Sequence, residues 1–361
     1  MLITLAASSA WSRAADEGRI GAYQATFTDR SPLSALAIQV PRFGGSLTAL
    51  KASGKDNDYD LGAETFEVNV PQSYKAGDGW GLFVFDSPGG RGNLHEPWRE
   101  VLEKHKLIWI GPNKAGNDRL PLCRFGLCID AVHNMKKLYD IDANRVYIAG
   151  VSGGGRISSM LGVCYPDVFK GGMYIVGCNY FREMTAPNTG GKVWHRGYAQ
   201  PSADLFNHAK KNVSHVLLTG ETDGNREQTK EYYEKGFKKD GFLHVTYIEV
   251  PGMGHQPPNA EWFEKGLAAM EDLTTQTAAA TPAKIDPPKE LQNNPKSATL
   301  PSAAKSSPTD EADKLLRNAK VYIENQLYSQ ARERLQNILT KYPDSPAAKE
   351  AKELLKQIEK E

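Results

Sequence analysis

The sequence predicts an α/β fold in which a mostly parallel sheet is flanked by helices, followed by a linker and a small all-α hairpin. Three observations carry this. Between about residue 20 and residue 255, short apolar runs alternate with longer amphipathic segments. The later runs are continuously apolar, as strands buried on both faces require. A proline-punctuated tract without aromatic residues then separates this region from a C-terminus with helical periodicity.

Strands are expected at Thr65–Val70, Leu82–Asp86, Leu107–Gly111, Val146–Val151, Gly172–Gly177, Val213–Thr219 and His244–Val250. Helices are expected at Pro97–His105, Leu127–Tyr139, Gly154–Val163 and Glu227–Asp240. Alternation of this kind builds crossover units and hence parallel pairing. From about Gln276 to Pro308, six prolines punctuate a tract of Ala, Thr, Ser and Lys, which reads as a linker able to extend roughly 100 Å. Beyond it, Asp313–Gln326, Ser329–Lys341 and a segment opened by Pro346 show helical spacing. The expected divisions are therefore an N-terminal segment at 1–15, an α/β domain at 20–273, a linker at 274–308 and a helical domain at 309–361.

The last of these resembles a tetratricopeptide repeat: Leu315, Ala319, Tyr322, Tyr328, Ala331, Leu335 and Pro343 fall in the register of the 34-residue unit. Leu315 stands where the repeat commonly has tryptophan. One and a half units bury little core alone, so the resemblance implies docking on a protein partner, on a second copy or on the preceding domain. A plain helical hairpin is the alternative.

Among 361 residues, 44 Lys and Arg balance 43 Asp and Glu, a net charge of +1 that gives no field for nucleic acid or an anionic membrane. No stretch approaches the roughly 20 apolar residues of a membrane span. The start, Met1-Leu2-Ile3-Thr4-Leu5-Ala6-Ala7, leads to Ser12-Arg13-Ala14 and is similar to the apolar half and cleavage site of a secretory signal, without the charged leading region. The expectation is a secreted or periplasmic protein, or a cytoplasmic one if the segment is no signal. Cys123, Cys128, Cys164 and Cys178 allow three complete pairings. In an exported chain, Cys123 with Cys128 across Arg124-Phe125-Gly126-Leu127 is the favoured bridge, with buried free thiols at Cys164 and Cys178 as the alternative.

The chemistry is concentrated after the strand at Val146. Gly150-Val151-Ser152-Gly153-Gly154-Gly155 followed by Arg156-Ile157-Ser158 places a G-x-S-x-G sequence between a strand and a helix. The pentapeptide alone is weak, and its context makes it specific. Glycines flank the serine because the turn is strained and side chains there would strike backbone. A serine hydroxyl is a poor nucleophile until a histidine takes its proton and a carboxylate orients that histidine. Asp223 follows the strand ending at Thr219, with Glu221 in the same loop as the alternative acid, and His255 follows the strand ending at Val250. All three lie just beyond the carboxyl ends of strands, where the catalytic groups of open α/β sheets gather. Gly153 N–H is the expected first donor to an oxyanion, and Gly89 or Gly90, in Ser87-Pro88-Gly89-Gly90 after another strand, the second.

At these residues the chain resembles the α/β-hydrolase superfamily and, within it, secreted esterases similar to polyhydroxybutyrate depolymerases and to feruloyl or acetyl-xylan esterases. The resemblance covers about residues 60 to 270. It implies Ser152 as nucleophile, His255 as base, Asp223 as its orienting acid, the Pro88-Gly89-Gly90 loop as oxyanion donor, and no cofactor. Where many relatives carry His-Gly, this chain has Asp86-Ser87.

Tyr180, Phe181, Trp194 and His195 lie where such proteins carry a cap, and read either as an aromatic wall for an ester substrate or as cap packing. Asp56, Asp58, Asp60 and Glu67 alternate like a calcium loop, but Leu61 holds the glycine position and a solvated acidic turn is expected, with no metal. The glycines at 153–155 lack the Lys-Ser or Lys-Thr of a phosphate loop. The leading expectation is a serine hydrolase of carboxylic esters, small or polymeric. A serine peptidase similar to prolyl oligopeptidases is the alternative enzyme. A catalytically silent hydrolase-fold protein that recruits a partner through its helical tail is the alternative of a different class.

Overall fold

Six-residue runs such as Gly-Leu-Phe-Val-Phe-Asp and Val-Tyr-Ile-Ala-Gly-Val are buried at every position, so they can only be interior strands covered on both faces. The computed structural model describes residues 18–54, 58–187, 193–278, 312, 313, 315, 316, 319, 320, 323 and 328–358. The chain divides into two units, Met1–Pro282 and Ala283–Glu361, with the boundary inside the expected linker. The expected signal segment lies outside the described residues.

In chain order the first unit runs β1 (Gly21–Ala25), α1 (Leu36–Arg42), α2 (Leu47–Ala52), β2 (Phe66–Val70), β3 (Gly81–Asp86), α3 (Arg99–Lys104), β4 (Leu107–Pro112), α4 (Pro121–Leu138), β5 (Val146–Val151), α5 (Gly153–Cys164) and β6 (Gly171–Ile175). It continues through the short pair β7 (Met184–Thr185) and β8 (Val193–Trp194), α6 (Ala203–Asn212), β9 (Ser214–Gly220), α7 (Arg226–Glu231), β10 (Val245–Val250) and α8 (Ala260–Ala278). Eight strands form one sheet in the order β1-β2-β4-β3-β5-β6-β9-β10. Within this sheet the β1–β2 and β2–β4 pairs are antiparallel, and along the sheet order from β4 to β10 the neighbours are parallel.

Two apolar layers cover the sheet. One contains Phe125, Leu127, Met135, Leu161 and Phe169 from α4, α5 and their surroundings. The other contains Trp98, Trp109, Phe263, Leu267 and Met270. Each large side chain so buried stabilises by roughly 1.5–3 kcal/mol before chain entropy is subtracted. Within the second layer Trp98 stacks on Phe263 at 4.2 Å and its indole N–H donates to Pro258 O at 2.9 Å, pinning the loop just after His255.

All seven expected strands are present to within two residues at either end. The expected helix at Leu127 begins at Pro121, which overturns the Cys123–Cys128 bridge: all four cysteines are buried thiols in no disulfide. Five residues apart on a helix, the pair is separated by about 7.5 Å of rise and points to different sides, beyond disulfide reach. Gly126 hides this helix in the sequence, because the side is closed by Tyr59; a Cβ at 126 would lie 2.4 Å from the Tyr59 hydroxyl oxygen. The expected helix at Glu227–Asp240 is α7 followed by a π-helical turn, Tyr232–Lys238. Helix α8 runs to Ala278, five residues past the expected domain end.

In the second unit α9 (Tyr328–Lys341) and α10 (Pro346–Ile358) are joined by a short turn. Ala319, Ala331, Leu335, Ile338 and Ala351 are fully buried together there. Tyr322, part of the repeat register, lies outside the described residues. Among the described residues no helix is long and apolar enough to cross a membrane.

Candidate active site

Strand β5 delivers Ser152 at its carboxyl end, and α5 starts on the next residue. The turn between them is tight enough to force Ser152 to φ 55°, ψ −117°, a conformation that non-glycine residues rarely adopt. Close backbone packing maintains it. A Cβ on Gly150 would fall 2.4 Å from Gly154 C, and one on Gly154 would fall 1.8 Å from Asp86 O. The strain is held from below by Ser152 N–H donating to Ile175 O at 2.8 Å. Gly153 opens α5, so its N–H is one of the helix's unsatisfied donors and sits at the positive end of the helix dipole.

Strands β9 and β10 are parallel neighbours, and the loops that leave them are tied together. Thr222 donates to Met253 O from its amide and its hydroxyl, both at 3.0 Å. Gly220 permits the approach, since a Cβ there would lie 2.0 Å from Met253 O. This brings Asp223 to His255: Asp223 Oδ1 is 2.8 Å from His255 Nδ1, and His255 Nε2 is 2.8 Å from Ser152 Oγ. The carboxylate is fully buried and its other contacts are donors, Thr219 Oγ1–H to Oδ2 at 2.8 Å and Asn225 N–H to Oδ1 at 3.2 Å. Glu221, the alternative acid, instead accepts from Gly252 N–H at 2.8 Å.

A serine on a strained strand-to-helix turn, bonded to a histidine that is bonded to a buried aspartate, stands at the carboxyl edge of a parallel sheet. This chain has the α/β-hydrolase fold. A model of the prolyl oligopeptidase family matches residues 115–270, less than half of the chain. The hydrolase-fold unit is also similar to a poly(3-hydroxybutyrate) depolymerase of Ralstonia pickettii, 30% identical over 103 residues, covering 24% of this chain and 20% of that one. A second relative, poly(3-hydroxyalkanoate) depolymerase C of Paucimonas lemoignei, is 43% identical over 49 residues, covering 14% and 12%. The similarity thus spans a fifth or less of the length of these curated relatives. Among solved structures, a fungal esterase from Rhizomucor miehei matches with a TM-score of 0.46 and 13% identity, covering 75% of this chain and 90% of that one.

The expected oxyanion loop is more constrained than its glycines suggest. Gly89 N–H donates to Ser87 Oγ at 3.2 Å, and Gly90 takes φ 77° with its carbonyl accepting from Lys114 N–H at 2.6 Å. Asp86, which stands where many hydrolases have histidine, is fully buried at the end of β3. It pairs with Arg124 Nη2 at 2.7 Å, yet burial pushes its carboxyl up to about 7.

The cap residues divide. Tyr180 is fully buried, with its hydroxyl donating to Asp240 at 2.6 Å and its ring 4.9 Å from Phe237, so it is core and offers no wall to a substrate. Phe181 is partly buried and packs edge-on against Phe206. Trp194 lies on β8 against Tyr232, and the exposed His195 faces Glu183 at 2.9 Å. In the acidic turn Asp58 binds Arg30 and Asp60 caps a short 3₁₀ helix, while Asp56 lies outside the described residues. Among the described residues no cluster of His, Cys, Asp or Glu is placed to hold a metal ion.

Four site residues leave no mark in the sequence. Thr219 and Asn225 hold Asp223, and Asn117 and Arg124 sit beside the Ser152 turn and under the β3 loop. Each belongs to no motif, and only the chain's path makes them neighbours.

Proposed function

We propose that this protein is a serine hydrolase that cleaves carboxylic esters through an acyl-enzyme intermediate. The observation that carries the reading is the line of two 2.8 Å hydrogen bonds from Ser152 Oγ through His255 to the buried Asp223. In this reading His255 Nε2 takes the Ser152 proton as Oγ attacks the acyl carbon, and Asp223 holds the ring with Nδ1–H directed at it. The tetrahedral oxyanion sits on the Gly153 N–H. The intermediate collapses by expelling the alcohol, which leaves with the proton from His255. Water, deprotonated by the same nitrogen, then releases the acid and restores Ser152.

The naming of both curated relatives as polyester depolymerases favours an ester, small or polymeric. The prolyl oligopeptidase match favours a second reading, a serine peptidase using the same residues. The sequence of 1–15 supports export, and the helical periodicity of 309–361 supports a tether for a protein partner or a second copy. The test is turnover of short acyl esters and of chromogenic peptides by the intact chain and by Ser152→Ala. Ester turnover that vanishes in Ser152→Ala is the expected result. Peptide turnover alone would favour the peptidase, and ester turnover surviving in Ser152→Ala would refute the assignment.

A further inference from the structure

We infer that Arg156 is a positioning residue for the hydrolysis proposed above: it fastens the loop that carries Asp223 to the helix that begins after Ser152, and so sets the reach of His255. The inference rests on the serine-hydrolase reading and adds a residue that no sequence motif marks.

The loops of Asp223 and His255 are secured to each other, but they leave a different part of the sheet from Ser152. Thr222 binds Met253 O, which joins the loop after β9 to the loop after β10 and makes Asp223 and His255 one assembly. Strand β6 stands between β5, which delivers Ser152, and β9. The 2.8 Å contact between His255 Nε2 and Ser152 Oγ therefore depends on ties that cross β6. Little slack is tolerable there, since a misplacement of about 1 Å costs roughly 10²-fold in rate.

Two such ties meet at Asn225, whose N–H donates to Asp223 Oδ1 at 3.2 Å. The first runs to the exit of β6, where Asn225 Nδ2 donates to Val176 O at 2.9 Å. Val176 takes φ 45°, which a β-branched residue rarely adopts, and its own N–H is held by Leu218 O at 2.8 Å. The next residue, Gly177, lies so near Ser152 that a Cβ on it would fall 2.2 Å from Ser152 O. The second tie is Arg156. It lies one turn along α5, with its N–H donating to Ser152 O at 3.1 Å. Its Nη2 donates to Gln228 Oε1 on α7 at 2.9 Å and closes on Asn225 Oδ1 at 3.5 Å. Its Nη1 donates to Cys178 O and to Asn179 Oδ1, both at 3.1 Å, just past the exit of β6.

These partners suit a brace and not a charge pair. All four acceptors are neutral amide oxygens, so Arg156 supplies direction: a planar fork that reaches α7 with one nitrogen and the segment after β6 with the other. A guanidinium has donors only, which fixes the oxygen of each amide toward it. Gln228 then turns Nε2 to Tyr232 Oη at 3.1 Å, and Asn179 turns Nδ2 to Met160 Sδ at 3.4 Å. Ser159 reinforces the link, its hydroxyl donating to Arg156 O and accepting from Asn179 N–H, both at 2.8 Å. Helix α7 has six residues and no side-chain cap at Asn225, so it lends the Asp223 loop little rigidity of its own.

Arg156→Gln and Arg156→Lys are to be compared with the intact protein, each with Asp223 present and in an Asp223→Ala background. The readouts are hydrolysis of one short acyl ester and the rate at which a fluorophosphonate adds, with Tm recorded for each. Arg156→Gln is expected to lower kcat and the rate of addition by about 10- to 10²-fold, with KM changed by less than about threefold. Arg156→Lys keeps the charge without the fork and is expected to stay within about threefold of Arg156→Gln; full rescue by lysine would overturn the inference. The decisive comparison is the double variant. If Arg156 acts through Asp223, adding Arg156→Gln to Asp223→Ala costs less than about threefold, and a loss of the same size in both backgrounds overturns the inference. It is equally overturned if Arg156→Gln keeps kcat within about threefold, or raises KM at unchanged kcat, the mark of a substrate-binding group. Gln228→Ala cuts the same tie from α7 and decides the matter should Arg156→Gln not fold. Its expected loss in kcat is about tenfold with Asp223 present and less than about threefold without it, and an unchanged kcat would overturn the inference. An active intact chain with any of these contrary results removes this inference and leaves the serine-hydrolase reading standing. An intact chain that neither hydrolyses esters nor takes the fluorophosphonate removes both.

Discussion

Replacing Asp223 by asparagine separates the two roles that the proposed mechanism gives the acid and that alanine would remove together, orientation and charge. Oδ1 accepts from two groups, His255 Nδ1–H and Asn225 N–H, and the second is a backbone donor that cannot reverse. Oδ2 faces the hydroxyl of Thr219, which donates now but can accept instead. In Asp223→Asn the new carboxamide is therefore expected to place its oxygen toward His255 and Asn225 and its NH₂ toward Thr219. The histidine keeps its tautomer, and what is lost is the attraction between imidazolium and carboxylate. At about 4 Å and an effective dielectric of about 20 that attraction is about 4 kcal/mol. With 46% of the His255 side chain exposed, solvent screening reduces it toward about 2 kcal/mol. The expected loss in kcat/KM for Asp223→Asn is then about 30- to 10³-fold, against about 10⁴-fold for Asp223→Ala, where the ring is unanchored. The assay is steady-state hydrolysis of a short p-nitrophenyl ester by all three proteins. Equal losses in the two variants would refute the orientation argument, and an Asp223→Asn variant within about threefold of the intact protein would refute the role of charge.

Gly154→Ala is expected to cost about 1–3 kcal/mol of stability, because its Cβ would lie 1.8 Å from Asp86 O and the atoms it would meet are backbone; thermal unfolding measures it, and an unchanged Tm would contradict the packing. His105 bonds Glu271 at 2.6 Å and Glu264, which raises it above its usual value. Its stabilising contribution is complete below about pH 6.5 and is lost as pH rises through the raised value. The intact protein should accordingly lose about 1–2 kcal/mol across that rise, whereas His105→Gln should not, and parallel Tm–pH curves would refute the assignment. Since none of the four cysteines is in a disulfide, thiol titration in denaturant should find four reactive groups without reductant, and reductant should leave Tm unchanged; two groups would indicate a bridge.

The readable parts of this chain are those whose signal is local. Strands buried on both faces announce themselves by composition, so β3, β5 and β9 are plain, and with them the strand ends that lead to Ser152 and Asp223. Strand β1 escapes because Gly-Ala-Tyr-Gln-Ala has no β-branched residue and half faces solvent. Helix α4 reads too short because it is buried nearly all round and has no amphipathic stripe, and its two cysteines imitate a closed loop. Tyr180 reads as a pocket aromatic, yet its position in the core is set by Phe237 and Asp240, some sixty residues away. The same holds for Asn117 and Arg124: which loop crosses the Ser152 turn is a property of strand order, and strand order is not written at any one position.

The most direct measurement is intact mass after treatment of the purified protein and of Ser152→Ala with a fluorophosphonate. Such a reagent adds covalently only to a serine whose proton is taken by a positioned base. The account predicts one adduct on the intact protein and none on Ser152→Ala. A folded protein that gains no adduct, or a variant that gains the same one, would contradict it.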